Sequence, residues 1–413
     1  MKRFFTLLLS FISLNSFAQL ASSKVHSNNP NSFHLSFTNG EIDLGTLENK
    51  EGLFTEIHID GLTKSYDLGN PDLPVFSKLI EIPEDGEIVV SILNKETSII
   101  DLSELGYHYE VLPAQRSVFK NEDVNKIRFI YNEATYSADQ FYRQSVVNIE
   151  RLGTMRGKTI ARLQIAPLAY HPLTNEIEKI EELNIKVQFT SSIKQENPSL
   201  QSSEFGANFS KLLNTQTPLK NDFTIVPIRM VILSDPMFED ALQDFISWKT
   251  RKGFDVIEVY KGEEDLGSTP ESMKAYIQSL YDNATELEPA PTYLLIVGDH
   301  DQIPSFNTGD HVSDLYYCEF DGNGDYFPEM VYGRFSANSI LELNPQLEKT
   351  MMYEQYTMTD PSYLDEMLLV AGVDASFAPT HGNGQINYGT EYYFNPAHNL
   401  TTYTYLYPES ASS

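Results

Sequence analysis

The chain has 413 residues, of which 58 are acidic and 29 basic, and its formal net charge is −29. This charge argues against nucleic acid or an anionic membrane surface as a partner, because both repel an acidic protein. A hydrophobic fraction of 41% and an aromatic fraction of 12% exclude disorder over most of the length. The length predicts two or three domains, each with a core of its own.

Residues 1–18 have the pattern of a secretory signal peptide. The basic pair Lys2-Arg3 precedes an apolar run over residues 4–14, and small residues end at Ala18. We expect cleavage near Ala18 and a secreted, extracellular protein. The apolar run is too short to span a bilayer and no later segment is long enough, so no membrane span is expected.

The segment 19–191 has the character of an all-β domain. Its apolar runs alternate in places with period two, as in 183–189, and turn residues separate them. The predicted strands are Phe54 to Ile59, Ile88 to Leu93, Ile127 to Tyr131, Thr159 to Ile165 and Leu183 to Phe189.

The segment 192–222 is rich in Ser, Asn, Gln and Thr and shows little periodicity, which predicts a linker. Processing sites lie in such segments, and Lys211 and Lys220 are candidate cleavage points.

From residue 223 to 413 the pattern changes to alternating strands and helices, which implies a largely parallel sheet with helices on both faces. The predicted elements are a strand from Arg229 to Leu233, a helix with Asp235 as N-cap and Pro236 at its start, a strand from Val256 to Tyr260, a helix opened by Thr269-Pro270, a strand from Tyr293 to Val297, a helix from Leu341 to Tyr356 and a buried strand from Met367 to Val370.

The most informative stretch runs from Tyr293 to Ser336. Its strings LLIVGDHDQIP, SDLYY, GDYFPEM and YGRFS, in that order, resemble the gingipain-type cysteine peptidases. GNPDLPVFSKLIEIP and MRGKTIARLQIAPLAYHP, earlier in the chain, are similar to the propeptides of these enzymes. The resemblance extends from about Gly69 to the end of the chain.

The resemblance implies an α/β fold class: an all-β prodomain (19–191) packed on the catalytic domain, a processing region (192–222), and the N-terminal part of a peptidase domain (223–413). That last part has a caspase-like, mainly parallel doubly wound sheet, which is incomplete here. The implied activity is the hydrolysis of protein or peptide substrates by a cysteine thiolate paired with histidine.

In the family, the catalytic histidine and cysteine come after the region that matches the end of this chain. The resemblance therefore implies a chain that stops before the dyad and is inactive alone. His381-Gly382 is similar to the histidine motif only superficially, because it follows Asp374 too soon and no strand precedes it. Asp374 resembles the acid that orients the catalytic histidine, and the alternative is a helix N-cap or turn aspartate.

Cys318 is the one cysteine, so no intramolecular disulfide can form. His300, His311 and His381 are the histidines that could partner it. The family does not keep its nucleophile at this position, so Cys318 is interpreted as a packed thiol rather than a nucleophile. Arginine-specific relatives carry an acid shortly after the Asp374-like position. Residues 383–387 contain none, so arginine specificity is not predicted.

Clustered carboxylates with turn residues between them are hard oxygen ligands of the kind that calcium prefers. The spacing from Asp321 onward excludes an EF-hand, because position six is Tyr326 and position twelve is Tyr332. The resemblance implies a structural Ca²⁺ with four ligands: Asp299, Asp325, the Phe327 carbonyl and Glu329. Asp321 or the Phe320 carbonyl is a further ligand. The alternative is an acidic hairpin without an ion.

Two further hypotheses concern regulation and function. Arg151 and Arg156, in the turn-like ERLGTMRGK, could fill the substrate cleft as a pseudo-substrate that keeps the precursor latent. The alternative to the enzyme is a non-catalytic secreted protein that binds calcium or inhibits a partner.

Overall fold

The computed structural model describes residues 20–118, 122, 126–195, 197–215, 227–309, 311–322 and 324–412. The predicted signal peptide and Lys220 lie outside the described residues. The contacts divide the chain into two compact units. The first unit contains the chain up to Arg116 and Arg128–Asn338, and the second contains Ser117–Ile127 and Ser339–Ser413. The domain boundaries expected from the sequence stay predictions.

Residues 20–191, called the β region below, form antiparallel sheets. The strands are β1 Ser22–Asn29, β2 Ser32–Thr38, β3 Asp43–Asn49, β4 Gly52–His58, β5 Phe76–Ile82, β6 Ile88–Asp101, β7 Tyr142–Arg143, β8 Val147–Met155, β9 Lys158–Ile165, β10 Leu168–His171 and β11 Glu176–Phe189, with a short helix α1 at Glu133–Tyr136. The larger sheet has the order β1-β2-β11-β10-β7, and β6 also pairs with β11. A second sheet has the order β5-β9-β8.

Strand β11 shows why the alternating pattern predicts the fold. Its residues Leu183, Ile185, Val187 and Phe189 are buried, because successive side chains of a strand point to opposite faces and these four share one face. They pack into a single core with residues of β2, β5 and β9. The predicted strand Ile127 to Tyr131 is wrong: the side chain of Gln115 bonds the backbone N–H and C=O of Ile130 there instead of a neighbouring strand.

Strands β8 and β9 form a hairpin with a two-residue turn. Met155 pairs with Lys158, and Arg156 and Gly157 form the turn with φ values of 49° and 76°. Both angles are positive, as the right-handed twist of two-residue hairpins favours. Arg156 is a non-glycine residue in the left-handed region, where a side chain is tolerated only if its surroundings hold it.

Within the predicted linker, the described residues 192–195 and 197–215 are more ordered than their composition suggests. It contains the helix α2, Ser203–Phe209, and Phe205 and Leu212 are buried. The side chain of Asn214 accepts from the Glu81 N–H and donates to the Glu81 C=O, both at 2.8 Å. The side chain of Asn214 therefore satisfies the backbone of β5 rather than facing water. Lys211 is exposed.

Residues 227–338, called the α/β region, contain the parallel sheet. The elements are β12 Ile228–Ser234, α3 Glu239–Arg251, β13 Phe254–Tyr260, α4 Pro270–Asp282, β14 Tyr293–Val297, β15 Phe306–Asn307, β16 Val312–Ser313 and β17 Val331–Phe335. The four-stranded sheet has the order β13-β12-β14-β17, and every pair in it is parallel. Helix α3 connects β12 to β13, its neighbour on one side. Helix α4 connects β13 to β14, which is the neighbour of β12 on the other side. Right-handed crossovers then put the two helices on opposite faces.

The helix starts agree with the predicted signals. The side chain of Asp235 accepts from the Met237 N–H, at the start of a single 3₁₀ turn that leads into α3. Thr269 and Ser272 form a reciprocal capping box at the start of α4. The predicted fold class, an all-β region followed by a mainly parallel doubly wound sheet, is confirmed.

The second unit has its own elements: α5 Ile340–Gln355, β18 Glu366–Val370, α6 Asn383–Tyr392 and β19 Thr401–Tyr405. Strand β18 pairs in parallel with β19. The prediction that β18 is buried is wrong, because Leu368 is 64% and Val370 55% exposed. In the part of the chain that the structure describes, no helix has the length and apolarity needed to cross a membrane.

Candidate functional site

The carboxyl edge of the parallel sheet is where ligands bind in open α/β sheets. Asp299 lies there, two residues after β14 ends. Its carboxylate accepts from the His300 N–H at 2.8 Å and from the Asn338 side-chain amide at 3.1 Å. These hydrogen bonds, with the His300 N–H as the largest contribution, lower the pKa of Asp299. The side chain is therefore an ionised acid that holds two loops of this edge together.

A partly buried ion pair organises the same edge. Arg334, near the end of β17, donates through Nε to Asp314 Oδ2 at 2.8 Å and through Nη2 to Oδ1 at 2.7 Å. Its Nη1 also donates to the carbonyls of Gly298 and Ile303, both at 2.8 Å. Burial by itself raises the pKa of Asp314, but the hydrogen bonds from Arg334 and Ser305 outweigh it and the pKa is lowered. The guanidinium thus ties the loop after β14 to the segment around Asp314.

Cys318 lies in the core rather than at the edge. Its side chain is fully buried among residues of β12, β14 and α4, and burial raises the pKa of the thiol. A thiol that stays protonated is a poor nucleophile. The interpretation as a packed thiol agrees with the structure. His300 and His311 are exposed, and their side chains bond to the Ser305 N–H and to the Tyr316 hydroxyl.

The acidic loop, residues 318–330, contains all of the predicted ligands except Asp299. Asp325 accepts from the Thr154 N–H at 2.6 Å and from the Phe327 N–H at 2.9 Å. Glu329 is 1% exposed, and among the described residues its Oε1 has no hydrogen-bond partner. Burial raises the pKa of Glu329 to about 9, and the charge of the neighbouring Asp321 adds to this effect. Burial also raises the pKa of Asp321.

Asp299 does not join this group. Val331 pairs with Tyr293 and Phe335 with Val297, so Glu329 precedes the amino ends of these strands while Asp299 follows their carboxyl ends. Four strand rises of about 3.3 Å separate the two ends by about 13 Å. One ion cannot touch both residues. Within the described ranges, no three His, Cys, Asp or Glu side chains converge closely enough to hold a metal ion.

Arg156 occupies the amino edge of the parallel sheet. It is 4% exposed, and its guanidinium donates to the carbonyls of Pro291 at 3.0 Å, Glu329 at 2.7 Å and Leu200 at 2.7 Å. Arg151 instead donates to the carbonyl of Pro83 within the β region. The structure does not support Arg156 as a pseudo-substrate, because a cleft at the carboxyl edge lies at the other end of the strands.

In the second unit, Asp374 follows β18. Its Oδ1 accepts from the N–H groups of Ser376 at 2.8 Å and Phe377 at 3.3 Å. These are the bonds of the turn aspartate that the sequence left as the alternative. They leave the second oxygen of the carboxylate with acceptor capacity. His381 is exposed and stacks on Phe377 with the ring centroids 5.8 Å apart.

Sequence reasoning missed the roles of Arg334, Asp314 and Arg156. Arg334 carried a signal: it is a charged residue in the apolar strand VYGRF, and a buried charge needs a partner. Arg156 carried a weaker one, a charged residue before glycine at a hairpin turn. Nothing in the sequence separates it from an exposed turn arginine.

The fold and this site define a class of protein: a β region docked by a hairpin on the amino edge of a parallel α/β sheet. Comparison with known proteins makes the class specific. The family model for Peptidase family C25 matches residues 225–412, and the C25 propeptide model matches residues 21–217. The chain belongs to peptidase family C25, with the propeptide preceding the peptidase region.

Relatives from Porphyromonas gingivalis include Lys-gingipain W83, 35% identical over 383 residues, and a Gingipain R1, 26% identical over 332 residues. These matches cover 91% and 78% of this chain but 22% and 32% of the relatives. A solved structure that describes the zymogenic latency of gingipain K is 31% identical, with a TM-score of 0.39, and covers 42% of this chain and 94% of that one. The chain therefore spans about a fifth to a third of the length of these curated relatives.

Proposed function

We propose that the protein carrying this sequence is the secreted precursor of a gingipain-type cysteine endopeptidase. Residues 19–191 are its propeptide, 192–222 the processing region and 223–413 the first part of its catalytic domain. The observation that carries the proposal is the tandem match, propeptide before peptidase, over nearly the whole chain. The signal-peptide pattern of residues 1–18 supports secretion. The family match does not favour the non-catalytic alternative.

The reaction is amide hydrolysis in two steps. A cysteine thiolate paired with a protonated histidine attacks the peptide carbonyl, the C–N bond breaks, and the amine leaves with the proton that the histidine donates. The neutral histidine then takes a proton from water, which hydrolyses the acyl-enzyme and releases the thiol group. Cys318 is not assigned as this nucleophile, because it is buried and protonated. Asp374 is the positioning residue: its turn hydrogen bonds fix the carboxylate, and the second oxygen accepts the ring N–H of the histidine.

Lysine is the preferred residue on the acyl side of the cleaved bond. Two observations support this preference. The chain is more similar to Lys-gingipain W83 than to Gingipain R1, at 35% against 26% identity. Residues 383–387 also lack the acid that the resemblance associates with arginine specificity.

The test uses the exported protein that contains this chain. We expect it to cleave lysyl peptides at least about 10-fold faster, in kcat/KM, than arginyl peptides, and alkylation of its thiols to abolish both activities. Asp374→Asn should lower kcat by about 100-fold or more, shift the pH profile and leave KM nearly unchanged, because only the histidine is misoriented.

Cleavage that survives alkylation would contradict the peptidase proposal. An arginyl preference would contradict the specificity but not the class of reaction. A D374N variant with unchanged kcat and pH profile would return Asp374 to the role of a turn residue.

We also propose a structural Ca²⁺ at the acidic loop, held by Asp321, Asp325 and Glu329 with the carbonyl of Phe327 or Phe320. The orphaned Oε1 of the buried Glu329 supports this proposal, since a buried carboxylate oxygen without a donor is costly. The side chains must rearrange to converge on the ion, since no three of the described carboxylates do so in this structure. Asp299 is not part of this set.

A further inference from the structure

The tip of the β8–β9 hairpin is built around a buried arginine. Arg156 adopts φ of 49° and is 4% exposed, although an arginine in a two-residue turn is normally a solvated residue. Its backbone conformation and its burial are both unfavourable unless its contacts compensate for them. The contacts of the Arg156 guanidinium must therefore compensate for both its backbone conformation and its burial.

The guanidinium sits in a pocket of carbonyl oxygens. Nη1 donates to Pro291 and Glu329, Nη2 to Ala290 at 3.3 Å and Nε to Leu200. Three of these four carbonyls belong to the α/β region, where they precede β14 and β17. Charged donors to neutral acceptors form hydrogen bonds stronger than those between neutral groups.

Two aromatic rings complete the pocket. The guanidinium carbon lies 4.9 Å from the ring centroid of Phe205 in α2 and 5.6 Å from that of Tyr281 in α4. An arginine between ring faces gains a cation–π contribution that a lysine or a neutral side chain does not match. Carbonyls around the edge and rings at the face fit the planar shape of a guanidinium.

The backbone beside Arg156 is fitted to the α/β region as well. The Thr154 N–H donates to Asp325 Oδ2, and a Cβ added to Gly153 would lie 2.6 Å from Asp325 Cγ, which is a clash. Glycine therefore allows this approach, because any larger residue would force the Asp325 carboxylate to move. The hairpin contacts the α/β region through Arg156 and through Gly153-Thr154, at two points of the amino edge.

We propose that the amino edge of the parallel sheet carries a guanidinium-binding exosite, and that its occupant is Arg156 of the chain's own propeptide. The exosite lies at the opposite end of the strands from the carboxyl edge. It keeps the propeptide bound after the processing region is cut, by affinity for the hairpin rather than by filling a substrate cleft. This inference rests on the proposed precursor, since it concerns the fate of the propeptide once the precursor has been cleaved.

The test is a nicking experiment on the full chain. A recognition sequence for a site-specific protease is inserted within residues 217–222, the folded protein is cut, and dissociation of the two fragments is followed by dilution and native mass spectrometry. Arg156→Ala should weaken the association at least about 30-fold, the smallest effect expected for truncating a buried hydrogen-bonded charge. The Arg156→Lys variant should have an affinity between those of the wild type and Arg156→Ala, because an ammonium keeps the charge but lacks the planar fork of donors.

Arg151→Ala is the matched control. It removes another arginine of the same hairpin, whose guanidinium donates to the carbonyl of Pro83 in the propeptide itself. Its fragments should separate no faster than those of the wild type. Gly153→Ala is a second probe that leaves Arg156 in place and should weaken the association through the clash with Asp325.

Equal affinity in the wild type and R156A would overturn the proposal, as would an R151A effect as large as that of R156A. If R156A does not fold, as judged by its thermal unfolding before cleavage, Arg156→Lys decides: an affinity equal to that of the wild type overturns the exosite. None of these readouts uses peptide hydrolysis. A protein without peptidase activity but with Arg156-dependent association would therefore contradict the proposed function and leave the exosite standing.

Discussion

Arg334 and Asp314 show how a single ion pair shapes the carboxyl edge. The guanidinium donates to the Asp314 carboxylate, to the Ser305 hydroxyl and to the backbone carbonyls of Gly298, Asp299 and Ile303. Both side chains are mostly buried, with 14% and 17% exposure. Removing one partner of such a pair leaves the other charge buried without compensation.

We therefore predict that Asp314→Asn destabilises the protein by about 2 kcal/mol at pH 7. The pKa of Asp314 is lower in the folded protein than its ordinary value of 3.8. A lowered carboxyl pKa stabilises the fold above the ordinary value, and this stabilisation is lost as the pH falls through the folded-state pKa. The difference between wild type and variant should therefore shrink below about pH 4.

Urea unfolding at several pH values measures this difference. Asp301→Asn, an exposed aspartate on the same loop, is the control and should change stability little at any pH. A D314N effect that stayed constant from pH 7 to pH 3 would show that the ionised carboxylate is not its source.

At the same scale, the sequence predicted the burial of Cys318 but not the partners of charged residues. The family resemblance placed no nucleophile at this position and so predicted a packed thiol, and the structure agrees. Arg156 appears in the sequence only as a basic residue before glycine, and Arg334 only as a charged residue within the strand VYGRF. Their partners are mostly backbone carbonyls, which every residue carries, so no side-chain pattern reveals them.

Among the elements, the acidic loop is where the calcium proposal is decided. Asp321 and Glu329 are brought together by the loop, whereas Asp299 is held at the far end of β14. The family resemblance alone could not separate these residues. The parallel register of β14 and β17 shows that Glu329 and Asp299 lie at opposite ends of these strands.

We predict that Ca²⁺ raises the thermal unfolding midpoint of the wild-type protein by about 3 °C or more, because a ligand bound only by the folded state stabilises it. Glu329→Gln should lose this response, since an amide is a weak calcium ligand. Asp299→Asn is the matched control and should keep the response. A calorimetric titration checks the binding directly.

A response lost in D299N and kept in E329Q would contradict the assignment of the site. No heat of binding and no thermal shift in the wild type would remove the ion and leave Glu329 as a buried neutral acid.

Elements with a strong local signal were predicted well, and those that depend on neighbours were not. The alternating residues of β11 and the caps of α3 and α4 carry their own signals, and the structure has them. The run from Ile127 to Tyr131 has strand propensity, but the side chain of Gln115 satisfies its backbone instead. The polar segment 192–222 contains α2, and Phe205 and Leu212 of this segment are buried. Its polar composition does not predict this burial.

At the scale of the whole molecule, the two edges of the parallel sheet have separate roles. The amino edge receives the β8–β9 hairpin, and the carboxyl edge carries Asp299 and the Arg334 network. This division results from parallel strands, because all their amino ends meet at one edge and all their carboxyl ends at the other. The order of elements predicted the sheet, but the edge on which the propeptide docks required the structure.

The measurement that tests the peptidase proposal most directly is the labelling of the exported protein with a lysyl peptide carrying an electrophile, followed by identification of the labelled residue by mass spectrometry. We predict one labelled cysteine, distinct from Cys318, and unchanged labelling in a Cys318→Ser variant. A label on Cys318 would contradict the assignment of that thiol to the core. No label under conditions in which the propeptide has been removed would contradict the peptidase proposal itself.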